Sequence, residues 1–267
     1  MLAEPEQGRG WPSSVEVCCG SVTAPGQHTE VFTGARTLFL AGAVPGTVPT
    51  VLQLAERAGV LRVVLLSSHG PEYEEAYPPE TWFWTAIERA VQASSIPATI
   101  IRPSAVMGSM LEGTYPATGS GWPAMIRSDD TIREPFADTG HYPFIHEEDL
   151  ASVAAAALRA DTFTGTVLEA VGPPVSTRSR VDGIAAAIGR RLTLVDVSVD
   201  EARALWRDQG WPEGAIDVTL YALEEYGART AELTRWTSAQ RPTVAEIIGR
   251  RPRTYDDWAQ EHAHLLC

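Results

Sequence analysis

The stretch LRVVLLS, from Leu61 to Ser67, decides the fold class of this chain. It is an almost continuous apolar run of strand length, and such runs are typical of parallel strands buried on both faces of a sheet. ATIIR, from Ala98 to Arg102, has the same character and is followed by a proline. RTLFLA, from Arg36 to Ala41, is predicted as a further strand. We therefore predict a sheet of buried parallel strands.

Segments with helical spacing alternate with these runs, and that alternation predicts an α/β, doubly wound sheet. Val15–Cys19 is predicted as a further strand, and residues 107–142 as an irregular stretch of the kind that forms a binding region. The predicted boundaries divide one continuous domain at residue 105, into a Rossmann-like core (1–105) and a substrate-binding region with C-terminal helices (106–267). The remaining predicted elements are helices at Pro49–Ala58, Glu80–Ala93, Glu147–Arg159 and Arg180–Ile188, strands at Thr166–Ala170 and Leu192–Val197, and a mainly helical segment from Asp200 onward.

Composition limits the partners of the protein. Apolar residues make up 44% of the 267 positions, which is enough for a substantial core. The formal net charge is −13, and an acidic surface repels phosphate backbones and anionic lipids. We therefore expect neither nucleic acid nor a membrane as a partner. The N-terminus carries no signal peptide and the three cysteines have no metal-ligand spacing, so we expect a cytoplasmic protein without a bound metal.

The chain contains no lysine, because all 21 of its basic residues are arginines. This excludes Schiff-base chemistry and phosphate binding by a P-loop within these residues. It also excludes the Tyr–Lys pair that ordinary short-chain dehydrogenases use for carbonyl reduction.

Taken in order, several short segments resemble the NmrA-like branch of the atypical short-chain dehydrogenases/reductases. No single segment is specific, but their order and spacing are, and together they span nearly the whole chain. The resemblance implies an NAD(P)-binding Rossmann-like fold. The segments are VEVCCG (15–20), TLFLA (37–41), VVLLSS (63–68), ERAVQASSIPATIIRPS (88–104), PFIHEEDLA (143–151), VGP (171–173), AIGRR (187–191) and GRRPRTYDDW (249–258).

Three departures from the family pattern shape the functional hypothesis. The Gly-rich G-x-x-G-x-x-G turn that holds the cofactor diphosphate does not occur in the sequence, which begins just before what resembles the family's third strand. Ser21 stands where relatives have an aspartate near the adenine, and Glu80 and Trp84 stand at the positions of the Tyr–Lys pair. We therefore expect a truncated doubly wound sheet, a smaller and mostly helical C-terminal part, and no cofactor.

Candidate site residues follow from the strand ends and from the irregular stretch. Strand carboxyl ends face the ligand crevice of a doubly wound fold, and aromatic side chains in the irregular region suit a hydrophobic ring. The acid–base candidates are His69, Tyr73, Glu80 and His146, and the substrate-binding candidates are Ser68, Trp84, Met107, Tyr115, Trp122 and His141.

These observations favour a non-redox, cofactor-independent cyclase, isomerase or dehydratase that acts on a small hydrophobic or aromatic substrate. Two alternatives stay open: a non-catalytic NmrA-like regulator that binds a ligand or partner, and an NAD(P)H-dependent oxidoreductase whose N-terminal segment lies outside this sequence. The run Arg36–Ala41 is apolar on both faces, and such an edge strand invites pairing. We therefore expect either pairing of Val15–Cys19 with this strand or a homodimer.

Overall fold

The computed structural model describes residues 10–21, 23–27, 29–76, 78–111 and 121–266. Its strands are β1 Thr37–Leu40, β2 Arg62–Leu66, β3 Ala98–Pro103, β4 Ala105–Val106, β5 Thr131–Glu134, β6 His141–Ile145, β7 Val167–Ala170, β8 Pro174–Ser176 and β9 Thr193–Asp196. Its α-helices are α1 Val48–Arg57, α2 Trp84–Gln92, α3 Trp122–Asp129, α4 Glu147–Arg159, α5 Thr177–Ile188, α6 Val199–Asp208, α7 Glu213–Ala228, α8 Thr230–Ala239, α9 Val244–Ile248, α10 Tyr255–Glu261 and α11 Ala263–Leu266.

The chain divides into two compact units. Unit 1 consists of Met1–Pro103 and Ala154–Glu169, and unit 2 consists of Ser104–Val153 and Ala170–Cys267. The mixture of parallel strands and helices confirms the predicted α/β, Rossmann-like class. No helix in the described part of the chain combines the length and the apolar character that crossing a membrane requires.

Unit 1 is built on the predicted buried strands. Its sheet has the order β1-β2-β3-β7, and β2 is parallel to both β1 and β3. Val63, Val64 and Leu65 of β2 are 0% exposed, because apolar side chains cover both faces of this central strand. Helices α1 and α2 place their apolar faces against the same core.

The predicted strand Val15–Cys19 is wrong. Residues 15–18 are irregular, and Cys19 forms a single β-bridge. Val15 and Val17 are 42% and 38% exposed, so this segment contributes little to a core. In the described part of the chain, β1 has β2 as its neighbour and stands at one end of the sheet order. A single bridge supplies too few hydrogen bonds to hold a segment of this length as a strand.

Unit 2 holds a second core, to which α3, α5, α6, α7, α10 and α11 contribute. The short strands form the arrangements β4-β6-β8 and β5-β9. The prediction that residues 107–142 are irregular is wrong in part, because this range contains α3 and β5. Pro123 at the start of α3 is compatible with a helical first turn, and the pairing of β5 with β9 supplies the hydrogen bonds of that strand.

Candidate functional site

Five polar side chains meet at the carboxyl ends of neighbouring strands in unit 1, and we call them the strand-end cluster. Ser67 and His69 follow β2, Arg102 lies near the end of β3, Glu169 lies in β7 and Glu88 comes from α2. The strands are brought side by side by apolar burial, so their polar ends are gathered at one edge of the sheet. In doubly wound folds this edge is where ligands bind.

Arg102 is the centre of the strand-end cluster. Its Nε and Nη2 donate to the two carboxylate oxygens of Glu88 at 3.0 and 2.7 Å, which is a bidentate pair. Its Nη1 donates to Oε1 of Glu169 at 3.3 Å. The hydroxyl of Ser67 also donates to Glu88, at 2.6 Å. The side chains of Arg102 and Glu88 are only 18% and 5% exposed, so this pair is held with little freedom.

His69 joins the strand-end cluster through Glu169. Its Nδ1 lies 3.4 Å from Oε2 of Glu169, and the two side chains are 14% and 12% exposed. The backbone N–H of His69 donates to the carbonyl oxygen of Pro103 at 3.1 Å, which fixes the start of the following turn. A histidine oriented by a carboxylate, with a small part of its ring exposed, is suited to exchange a proton with a bound molecule.

The other candidates from unit 1 do not join this cluster. Ser68 is partly buried between Ser67 and His69, and Trp84 packs against the unit 1 core. Glu80 is exposed in the short 3-10 turn Pro79–Thr81. The side chain of Tyr73 lies outside the described part of the structure.

The remaining candidates belong to unit 2. His146 is 1% exposed; its Nδ1 accepts the backbone N–H of Glu148 at 3.1 Å, and its Nε2 lies 3.3 Å from a carboxylate oxygen of Glu261. Met107 and Trp122 are each 1% exposed in the unit 2 core. His141 is exposed at the start of β6, and Tyr115 lies outside the described residues. Among the residues described, no group of three or more His, Cys, Asp or Glu is placed to hold a metal ion.

Glu88, Arg102 and Glu169 were not among the candidate site residues that the sequence singled out. The sequence contains one indication of this cluster, and it concerns Glu169. VLEA in β7 places a carboxylate between apolar neighbours in a buried strand, and charged residues at such positions are usually paired. The sequence did not reveal that Arg102 is a partner of Glu169, because the two residues lie 67 positions apart in the chain.

Two curated relatives of this chain are both named as reductases. No family model matches this chain. It is 28% identical to the (4-alkanoyl-5-oxo-2,5-dihydrofuran-3-yl)methyl phosphate reductase of Streptomyces griseus, over 100% of this chain and 89% of the relative. It is 24% identical to the NAD(P)H azoreductase of Xenophilus azovorans, over 93% of this chain and 83% of the relative.

Solved structures show the same fold. The NADPH-dependent quinone oxidoreductase QOR2 of Escherichia coli aligns with a TM-score of 0.74 at 17% identity, over 97% of this chain and 87% of its own. The triphenylmethane reductase of Citrobacter sp., solved with NADP(H), gives 0.73 at 19% identity, over 94% and 84%. The negative transcriptional regulator NmrA, solved with NAD, gives 0.61 at 16% identity, over 92% and 80%.

These comparisons correct the functional hypothesis. The prediction of a non-redox, cofactor-independent cyclase, isomerase or dehydratase is wrong, because the relatives are named as reductases and two of these solved structures hold a nicotinamide dinucleotide. The order of the matching segments is retained in this sequence, although the Tyr–Lys pair and the Gly-rich turn do not occur in it. The resemblance predicted from that order is confirmed. The chain has the NmrA-like fold of the NAD(P)-binding atypical short-chain dehydrogenases/reductases.

Proposed function

We propose that this protein is an NAD(P)H-dependent reductase of a small, electron-poor conjugated substrate. The observation that carries the proposal is the strand-end cluster, in which His69 is held by Glu169 at the carboxyl edge of a parallel sheet. Relatives that align with most of the chain are named as reductases. The alternative of a non-catalytic regulator has no comparable support from the site.

The turn between β1 and α1 fits the nicotinamide end of the cofactor. Gly42 has a φ of +68°, and a Cβ added at Gly42 or Gly46 would meet no heavy atom within 4 Å. Space is therefore open in front of this backbone, and α1 begins directly after it. A glycine turn between a parallel strand and a helix allows a nucleotide to approach the backbone closely. We assign Gly42, Gly46 and the hydroxyl of Ser68 to this end of the cofactor, which supplies a hydride when bound.

The acceptor is proposed to be conjugated because the Tyr–Lys pair that polarises an isolated carbonyl does not stand at its family positions. The chain has no lysine, Glu80 is exposed and Trp84 packs against the core, so no Tyr–Lys pair stands at these positions. A substrate that accepts hydride without such activation must itself be electron-poor. The names of the two relatives describe substrates of this class, an oxo-dihydrofuran with an alkanoyl group and an azo compound.

His69 supplies the proton in this proposal. If hydride were added at one end of the conjugated bond, the negative charge that developed at the other end would take a proton from the imidazolium of His69. His69 would then recover its proton from solvent. General acid catalysis of this kind contributes about 10²- to 10⁴-fold in rate.

The test is a titration of the purified protein with NADPH and with NADH, followed by rate measurements with a butenolide, a quinone and an azo dye. We expect saturable binding of one nucleotide and consumption of that nucleotide with at least one acceptor. His69→Gln should lower kcat by about 10²-fold while nucleotide binding is retained. Glu80→Gln, at an exposed position, is the matched control and should leave the rate unchanged. Failure of both nucleotides to bind would overturn the proposal.

Assembly and location are also proposals. Phe39 of β1 is 40% exposed on the strand at the end of the unit 1 sheet, and an apolar edge of this kind favours pairing with a second copy of the chain. We propose a homodimer, to be tested by sedimentation of the wild-type protein and of Phe39→Glu. A cytoplasmic location is proposed from the unpaired Cys18 and Cys19.

A further inference from the structure

We propose that Glu169 is a positioning residue that fixes the tautomer of His69, and that Arg102 determines which oxygen of Glu169 faces the imidazole. The assignment of a catalytic role to His69 rests on the proposed function. The tautomer itself is a property of the strand-end cluster, and it can be measured without cofactor or substrate.

The first step concerns the orientation of Arg102. The bidentate contact with Glu88 fixes the plane of its guanidinium, and Ser67 donates a further hydrogen bond to Glu88. Glu88 is almost fully buried on α2. Arg102 therefore presents Nη1 to Glu169 in a set direction, and Oε1 of Glu169 accepts it at 3.3 Å.

The second step concerns the other oxygen of Glu169. Because Oε1 is directed at Arg102, Oε2 is the oxygen that faces Nδ1 of His69, at 3.4 Å. An ionised carboxylate can only accept hydrogen bonds, so Nδ1 must carry the hydrogen. The neutral ring then keeps its lone pair on Nε2, and the imidazolium that forms when Nε2 is protonated faces a negative charge.

The catalytic consequence follows from this tautomer. The proton that His69 exchanges with the substrate is the one on Nε2, while the hydrogen on Nδ1 stays on that nitrogen and is donated to Glu169. Among the described residues, the charged groups around this exchange include Glu169 of β7, Arg102 of β3 and, behind Arg102, Glu88 of α2. Removing the charge of Glu169 would leave the imidazolium beside Arg102 without the intervening carboxylate.

Glu169→Gln tests this arrangement. Arg102 can only donate, so it should hold the amide oxygen of the glutamine at the Oε1 position. The amide NH₂ then faces Nδ1 and donates to it. The neutral ring must therefore change to the tautomer with the hydrogen on Nε2. The readout is the ¹⁵N NMR spectrum of histidine-labelled protein at a pH where the imidazoles are neutral, and His69→Gln identifies the signals that belong to His69.

We expect the Nδ1–H tautomer in the wild-type protein and the Nε2–H tautomer in Glu169→Gln. Glu169→Asp retains a carboxylate and should keep the wild-type tautomer; it also keeps the test valid if the glutamine variant does not fold. Glu75→Gln is the matched control, because Glu75 forms an exposed ion pair with Arg89. An unchanged His69 tautomer in Glu169→Gln, or an Nε2–H tautomer in the wild-type protein, would overturn the proposal.

Rate measurements separate this proposal from the function of the protein. With an active enzyme, Glu169→Gln should lower kcat by about 10²-fold with KM nearly unchanged. A change of tautomer in a protein that reduces no acceptor would support the positioning role and contradict the proposed function. Full activity in a variant whose His69 tautomer has changed would support the proposed reduction. It would also show that His69 is not the proton donor of that reaction.

Discussion

Replacement of Arg180 by methionine should strongly destabilise the protein. Arg180 of α5 donates to Glu134 of β5 at 2.8 Å, and both side chains are only 2% exposed. Glu134 also accepts hydrogen bonds from Trp122 at 2.8 Å and from Thr177 at 3.3 Å. The guanidinium lies against three aromatic rings at 4.4, 5.2 and 4.9 Å, those of Trp122, Tyr142 and Phe144.

The expected magnitude follows from the burial of the pair. Methionine fills much of the volume of arginine but leaves the Glu134 carboxylate without a countercharge. Breaking a buried ion pair in this way costs about 3–5 kcal/mol. For a chain of this size, each kcal/mol lowers Tm by roughly 2–4 °C, so Tm should fall by about 6–20 °C. Chemical denaturation and calorimetry of the two proteins give both quantities.

Two further variants make this prediction specific. Arg178→Met removes the same charge from the same helix, but Arg178 pairs with Asp138 at 3.4 Å with side chains 57% and 70% exposed. That change should cost less than about 1 kcal/mol. The double variant Glu134→Gln with Arg180→Met should recover a large part of the loss, because no buried charge remains. Equal effects of Arg178→Met and Arg180→Met would refute the reasoning.

Three other predictions concern separate features of the fold. Glu74 accepts hydrogen bonds from the backbone N–H groups of residues 83, 84 and 85 at the start of α2. Glu74→Ala should therefore lower the free energy of unfolding by about 1–3 kcal/mol, whereas Glu75→Ala should leave it nearly unchanged. Equal losses in the two variants would contradict this prediction. Burial raises the pKa of Tyr142 and Tyr255 above the ordinary 10.0, so stability contributed by their neutral hydroxyls is present below pH 10.0 and is lost as the pH rises beyond it. An absorbance titration should show these two tyrosines ionising only as the protein unfolds. A Cβ at Gly172 would lie 1.7 Å from a backbone carbonyl oxygen of β6, so Gly172→Ala should yield little folded protein on expression, and a stable variant would refute this.

Local sequence patterns determined the elements of this fold. The apolar runs of β2 and β3 predicted buried parallel strands, because a strand covered on both faces needs apolar residues at every position. Helices α1, α4 and α5 lie within one to three residues of their predicted ends. The order of the short segments was also sufficient to indicate the NmrA-like fold.

Some local predictions were wrong because pairing is not a local property. Val15–Cys19 has the composition of a strand, yet it forms only one β-bridge, at Cys19, and is otherwise irregular. Residues 122–134 have many turn-forming neighbours, yet they form α3 and β5, since contacts with the rest of unit 2 supply what local propensity does not.

The candidate site was decided by tertiary structure. The sequence indicated that His69 follows a buried strand, but Arg102 and Glu169 reach it only because β2, β3 and β7 are neighbours in the sheet. In unit 2, Glu134 and Arg180 meet across 46 positions of chain in the same way. Periodicity in a sequence reports whether a side chain is buried, but not which distant group it will contact. Buried charges need partners at hydrogen-bond distance, and only the packing of the strands and helices places those partners there.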